Sequence, residues 1–252
     1  MAHISKSAFV RGIQCPKQLY YYKNSYNKRD ALTESQRVSF KRGTDVGLLA
    51  QQLFPGGRDL TPASPWQYKQ SANITRHYLE QEVPVIYEAS FLYDSLYAIM
   101  DIVVNTNGSL KLYEVKNTRS VKEQHLLDAS FQYYVIKQAG FTIDSIAIVY
   151  PLESLEDYDG TIPLSNLFNI EDITATVEER QNEIEASSVY QVNMLSQSSP
   201  PDVGIGNQCF KPYACDFMGI CWANTPLDSI NTLIVDDEDK RRILTDKQIL
   251  PR

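Results

Sequence analysis

The chain is short of several things, and each shortage narrows what it can be. It has 252 residues and no apolar run long enough to span a bilayer, and its N-terminus lacks the apolar stretch of a secretory signal. The expectation is a cytoplasmic protein with no membrane partner. Positive charge is in deficit: 24 Lys and Arg face 31 Asp and Glu, for a net charge of −7. A uniformly basic nucleic-acid binder is therefore excluded, although a local basic patch is not. Histidine is scarce, with His3, His77 and His125 alone, which leaves little for a histidine-rich metal centre. Cysteine is absent between Cys15 and Cys209. Apolar residues, by contrast, make up 43% of the chain, enough for a packed core.

What is present centres on residues 97–116. Two apolar segments, 97–104 and 110–116, flank Asn107-Gly108. That dipeptide suits a tight hairpin turn, because both positions tolerate positive φ. Asp101 lies on the first strand. Glu114 and Lys116 lie two apart on the second and so share a face. Pairing the strands brings Asp101 near Glu114, and two carboxylates at that separation repel unless a cation lies between them. An all-oxygen pair suits a hard ion such as Mg²⁺ or Mn²⁺. A lysine beside them can orient water or stabilise phosphate charge. The same residues also suit an ordinary solvated strand face.

Around this hairpin the chain divides into four stretches. Residues 1–82 are mainly helical, with helices expected over 6–13, 17–23, 34–54 (capped by Thr33) and 66–81 (opened by Ser64-Pro65). Residues 83–150 hold strands at 85–92, 97–104, 110–116 and 143–150, with a helix over 121–139 ended by Gly140. Asp128 and Gln132 lie one turn apart on that helix, either at the edge of the carboxylate site or in solvent. Residues 151–224 are expected to be helical over 170–192 and then to carry a cysteine cluster. Residues 225–252 form a charged tail.

Residues 1–42 hold nine Lys or Arg, interleaved with Phe9, Tyr20, Tyr21, Tyr22, Tyr26 and Phe40. Such a stretch can track a nucleic-acid backbone while its rings stack on bases. It can equally be an amphipathic face with snorkelling lysines. The cysteines are Cys15 and then Cys209, Cys215 and Cys221, at C-x5-C-x5-C. Four thiolates suit Zn²⁺ or an iron–sulfur cluster. The lack of a tight C-x2–4-C pair favours a [4Fe–4S] cluster, and four buried free thiols are the alternative.

Taken in order, Asp101, Glu114-Val115-Lys116 and a following helix with Gln132 resemble the PD-(D/E)XK nuclease core of the RecB type. One cysteine before that core and three after it, with the opening S-K-S-A-F-V-R-G-I-Q-C-P-K-Q-L-Y, resemble its iron–sulfur branch. That branch includes the AddB nuclease domain and the CRISPR-associated RecB-like exonucleases. The resemblance implies an α/β, restriction-endonuclease-like fold: a mixed sheet with flanking helices, plus a cysteine-ligated cluster subdomain. It implies a metal-dependent deoxyribonuclease, an exonuclease on single-stranded DNA. Asp101, Glu114 and the Val115 carbonyl would hold Mg²⁺ or Mn²⁺, Lys116 would serve the attacking water, and Gln132 would orient substrate or the lysine. Glu88 is either a further acidic ligand or a surface glutamate. Cys15, Cys209, Cys215 and Cys221 would hold the cluster. The sequence departs from the family at Gly47, where relatives carry histidine in G-x-x-x-H, which implies one metal rather than two, a substitute ligand such as Asp45, or weaker metal affinity. It departs again at Ile136, where Q-x-x-x-Y would place tyrosine. These departures keep open a catalytically degenerate nucleic-acid-binding module, or a zinc-stapled interaction protein.

Overall fold

The structure is a computed structural model that describes residues 3–32, 34–64, 66–155, 158, 161–226, 228–230 and 237–250, excluding the side chains of 34–36 and 39–41. The expected cap Thr33 and the expected first helical residue Pro65 fall outside the described residues, as do the side chains of Phe40 and Lys41. The chain divides into two units. The first takes in His3–Lys6 and Ser39–Ser188, the second Ser7–Val38 and Val189–Arg252.

The first unit is built on a mixed sheet of seven strands among the described residues. They are β1 (Ile4–Ser5), β2 (Arg58–Asp59), β3 (Val85–Tyr93), β4 (Leu96–Thr106), β5 (Ser109–Val115), β6 (Thr142–Pro151) and β7 (Phe168–Asp172). The order is β2-β3-β4-β5-β6-β7, with β1 pairing off this path on β4. Strands β3, β4 and β5 form an antiparallel meander. Its second turn has Asn107 at φ 52° and Gly108 at φ 84°, the left-handed pair a two-residue hairpin loop needs. The chain then crosses over to place β6 parallel to β5, and β7 returns antiparallel. This mixed α/β sheet with flanking helices is compatible with a restriction-endonuclease-like core.

The helices are α1 (Lys6–Gln14), α2 (Pro16–Asn24), α3 (Glu34–Gln51), α4 (Tyr68–Glu80), α5 (Glu123–Gln138), α6 (Leu164–Leu167), α7 (Thr174–Glu179), α8 (Gln181–Leu195), α9 (Met218–Trp222) and α10 (Glu238–Asp246). The crossover helix α5 buries Ala129, Phe131, Gln132, Val135 and Ile136. On β5, exposure alternates so that Leu110, Leu112 and Glu114 share the buried face. Glu114 therefore takes a core position, at 1% exposure.

One expected helix is corrected. Residues 170–192 are not continuous: Ile170 lies in β7, and α7 and α8 follow in place of one long helix. F-N-I-E-D alternates in burial as an edge strand does, and Asn169 and Glu171 both bond the Tyr150 hydroxyl on β6. Cross-strand pairing has overridden helical propensity there.

The second unit has its own core, with Phe217, Met218, Trp222 and Leu244 each at most 2% exposed. A charge network reinforces it. Asp216 accepts from Arg11 at 3.0 Å and pairs with Arg29 at 3.2 Å. Asp30 accepts from the Met218 and Gly219 amides and from Lys247. Among the described residues no helix is long and apolar enough to cross a membrane.

Candidate carboxylate site and thiol cavity

The register of the meander puts three carboxylates in a row across three strands. Glu88 falls between the pairs Tyr87↔Ile102 and Ala89↔Met100, opposite Asp101. One step beyond Ile102↔Tyr113, Asp101 falls opposite Glu114. Opposed residues share a sheet face. Glu88 takes φ 53° in mid-strand, a costly conformation for a residue with a Cβ and one found where side-chain aim matters.

Asp101 bridges to β5 through its side chain: the Val115 N–H donates to its Oδ2 at 2.6 Å. The Lys116 N–H then donates to the Val149 carbonyl of β6. Lys116 Nζ lies 2.8 Å from Glu114 Oε1 and also donates to Asp128 Oδ2. Gln132, fully buried, donates to Glu114 Oε2 at 2.6 Å and to the Ile99 carbonyl at 2.7 Å. Ile99 lies on β4 between the stretches taken by β1 and β5, so the Gln132 amide supplies the donor that neither strand provides. Both partners are acceptors, which fixes the amide orientation. It leaves Gln132 Oε1 buried and without a hydrogen-bond partner among the described residues.

Charge is concentrated here. Burial and the nearby Glu114 raise Asp101 to about 7, and burial and Glu114 raise Glu88 to about 7. Burial alone would also raise Glu114, yet Lys116 and Lys6 bring it down to about 2. Lys116 is raised: burial disfavours its charge, but Glu114 and Asp128 outweigh that. It is an ammonium donor at neutral pH.

Asp101, Glu114, Lys116 and Gln132 are thus brought together, with Glu88 at the end of the row and Val115 between Glu114 and Lys116. Asp128 joins them through Lys116. Asp45 does not: it is exposed and lines a cleft with Arg42, Asn117 and Arg119. Two residues escaped sequence reasoning. Lys6 Nζ lies 2.5 Å from Glu114 Oε1. His125, at the start of α5, accepts from the Lys122 N–H; burial and Lys116 lower its pKa, keeping it neutral. Its place at the helix start was a readable signal, whereas Lys6 carried none.

The four thiols are free and line one cavity in the second unit, among Gln18, Val203, Ile205, Phe217, Met218 and Trp222. Burial raises Cys15 and Cys221, and pushes Cys215 up to about 12. Cys215 also feels all three other thiols, and Cys15 and Cys221 both feel Cys209. In the basic N-terminal stretch, Arg11 and Arg29 are committed to Asp216, and Tyr20 is buried. Arg11 also stacks on the Tyr22 ring, 4.6 Å from its centroid.

Among the described residues, no three His, Cys, Asp or Glu side chains converge as a group that could hold a metal ion. The donor chemistry nonetheless fits. Asp101 and Glu114 offer hard oxygens beside the orphan amide oxygen of Gln132. The thiols offer four soft donors around one mostly apolar cavity.

No family model matches the chain, and no curated protein matches it. Among solved structures, SSO0001 is similar at 14% identity and a TM-score of 0.36, covering 90% of this chain and 88% of its own. A phage-related exonuclease from Haemophilus somnus 129PT is similar at 12% identity and a TM-score of 0.29, covering 68% of this chain and 92% of its own. Neither backbone is close enough to carry an assignment.

Proposed function

We propose that the chain is a divalent-metal-dependent deoxyribonuclease that hydrolyses phosphodiester bonds at the Glu88–Asp101–Glu114 row, acting as an exonuclease on single-stranded DNA. The observation that carries the proposal is the burial of Glu114 at 1% exposure, bonded to Lys116 and Gln132 and set opposite Asp101. A solvated strand face needs none of these partners. A carboxylate in a leucine position is costly unless its charge is used.

Asp101 and Glu114 would hold Mg²⁺ or Mn²⁺, with the Val115 carbonyl and Glu88 as further oxygen donors. When bound, the ion supplies Lewis-acid polarisation of the scissile phosphate and a lowered pKa for water. Lys116 donates from its ammonium to the attacking water or to a phosphoryl oxygen as charge builds there. Glu114 and Asp128 hold it as an ammonium in the metal-free chain. Asp128 anchors the lysine through a second ion pair, and Gln132 keeps the Glu114 carboxylate from rotating. Cys15, Cys209, Cys215 and Cys221 would hold a [4Fe–4S] cluster, whose contribution is structural. Zn²⁺ is the alternative occupant. The basic, aromatic stretch would supply DNA contacts. A cytoplasmic location fits four free thiols.

A second reading, a nucleic-acid-binding module that has lost catalysis, is favoured by Gly47 and by Lys6 on Glu114. Cleavage of end-labelled single- and double-stranded DNA with Mn²⁺, Mg²⁺ or EDTA separates the two. The expected result is cleavage with metal, none with EDTA, and loss of about 10²-fold or more in Lys116→Ala. DNA binding without cleavage in wild type would establish the second reading.

A further inference from the structure

Glu114 has more donors than a metal ligand needs. Its Oε1 meets two ammonium groups, Lys6 at 2.5 Å and Lys116 at 2.8 Å, and its Oε2 accepts from Gln132 at 2.6 Å. A carboxylate has about four lone-pair positions, so three are already taken. A divalent ion on Oε1 would stand within a few ångströms of two ammonium nitrogens, and like charges at that range repel strongly away from bulk water.

For a divalent ion to take Oε1 one lysine has to yield, and the two are anchored differently. Lys116 is held a second time by Asp128 and its side chain is 16% exposed. Lys6 has Glu114 as its one ion-pair partner among the described residues, and its side chain is 26% exposed. It follows β1 directly, at the first position of α1, and its charge also acts on Asp101.

We infer that Lys6 is an internal cation for the carboxylate row: its ammonium holds Glu114 in the metal-free chain and is displaced when a divalent ion binds. The inference rests on the metal-site reading above. Lys6 then sets the metal concentration at which the site fills, and it keeps the buried carboxylates neutralised until that point.

The test is titration of the full chain with Mn²⁺ alone, following free Mn²⁺ by electron paramagnetic resonance, for wild type, Lys6→Met and Lys6→Gln. Both variants remove the competing charge, and glutamine keeps a donor toward Glu114. The expected result is Mn²⁺ binding at least about tenfold tighter in both. In parallel, an amine-selective reagent with mass spectrometry measures labelling of Lys6 in wild type with and without Mn²⁺. This readout holds even if a variant fails to fold. Labelling should rise when Mn²⁺ is added.

Affinity equal to or weaker than wild type in the variants would overturn the inference and leave the metal site standing. So would labelling that does not change with saturating Mn²⁺. Absence of Mn²⁺ binding in wild type and variants alike would overturn the metal-site reading itself.

Discussion

Gln132 donates both amide hydrogens, one to Glu114 and one to the Ile99 carbonyl, so a single side chain fixes a carboxylate and closes a gap in the hydrogen bonding of β4. Replacing it with alanine leaves a buried carbonyl and a buried carboxylate each short of a donor. Gln132→Ala should lose ~1–3 kcal/mol of stability in urea unfolding, and its metal-dependent cleavage should fall more steeply than its DNA binding. Unfolding midpoints and rates measured on the same preparations check both parts.

The two raised carboxylates make the metal-free chain pH-sensitive in a defined direction. Asp101 and Glu88 titrate near 7 when folded, against about 4 when unfolded. Between those values the folded chain binds more protons, so stability falls as pH rises from about 4 to 7 and is lowest above 7. Asp101→Asn removes one such group. In EDTA it should be more stable than wild type at pH 8, by on the order of 1–3 kcal/mol, and nearly equal to it at pH 4. Denaturation at the two pH values decides this, and an equal difference at both would count against it.

Cys215 is the most strongly raised of the thiols, and it lines the cavity shared with Cys15, Cys209 and Cys221. Chain purified without oxygen should carry iron and the visible absorption of a cluster, and Cys215→Ser should lose both. A colourless wild type containing zinc would assign the cavity to Zn²⁺.

Gly47 lies within α3, and a Cβ built there meets no atom within 4 Å. Glycine inside a helix costs roughly 0.5–1 kcal/mol relative to alanine. Gly47→Ala should therefore raise stability by that amount, seen as a higher thermal midpoint, with cleavage unchanged. A drop in stability would mean that the space is used.

The parts of the fold legible in the sequence are those written in local pattern. Asn107-Gly108 marked its turn, and alternation in 109–115 marked β5 and the side of the sheet on which Glu114 lies. Asp101, Glu114 and Lys116 came together because one hairpin carries all three. The strands β1 and β2, of two residues each, are too short to leave a periodic signal. Ile170 read as helix because its strand exists only through pairing with β6. Lys6 was legible as one more positive charge in a basic stretch. Nothing local to residue 6 specifies a partner on β5, and the same holds for the Arg11–Asp216 pair.

The Lys6–Glu114 contact spans 108 residues, and that span has a consequence for the order of assembly. The β3–β5 meander consists of neighbours in sequence and can form early, since short loops close cheaply. Strand β1 leaves the ribosome first, yet it can add to β4 only after residues 96 and 97 exist to receive it. Lys6 and the residues that receive β1 are therefore all made before Glu114. The ammonium is already present when the carboxylate row is completed. The order in which the chain is made thus favours the lysine over a divalent ion as the first cation at the site.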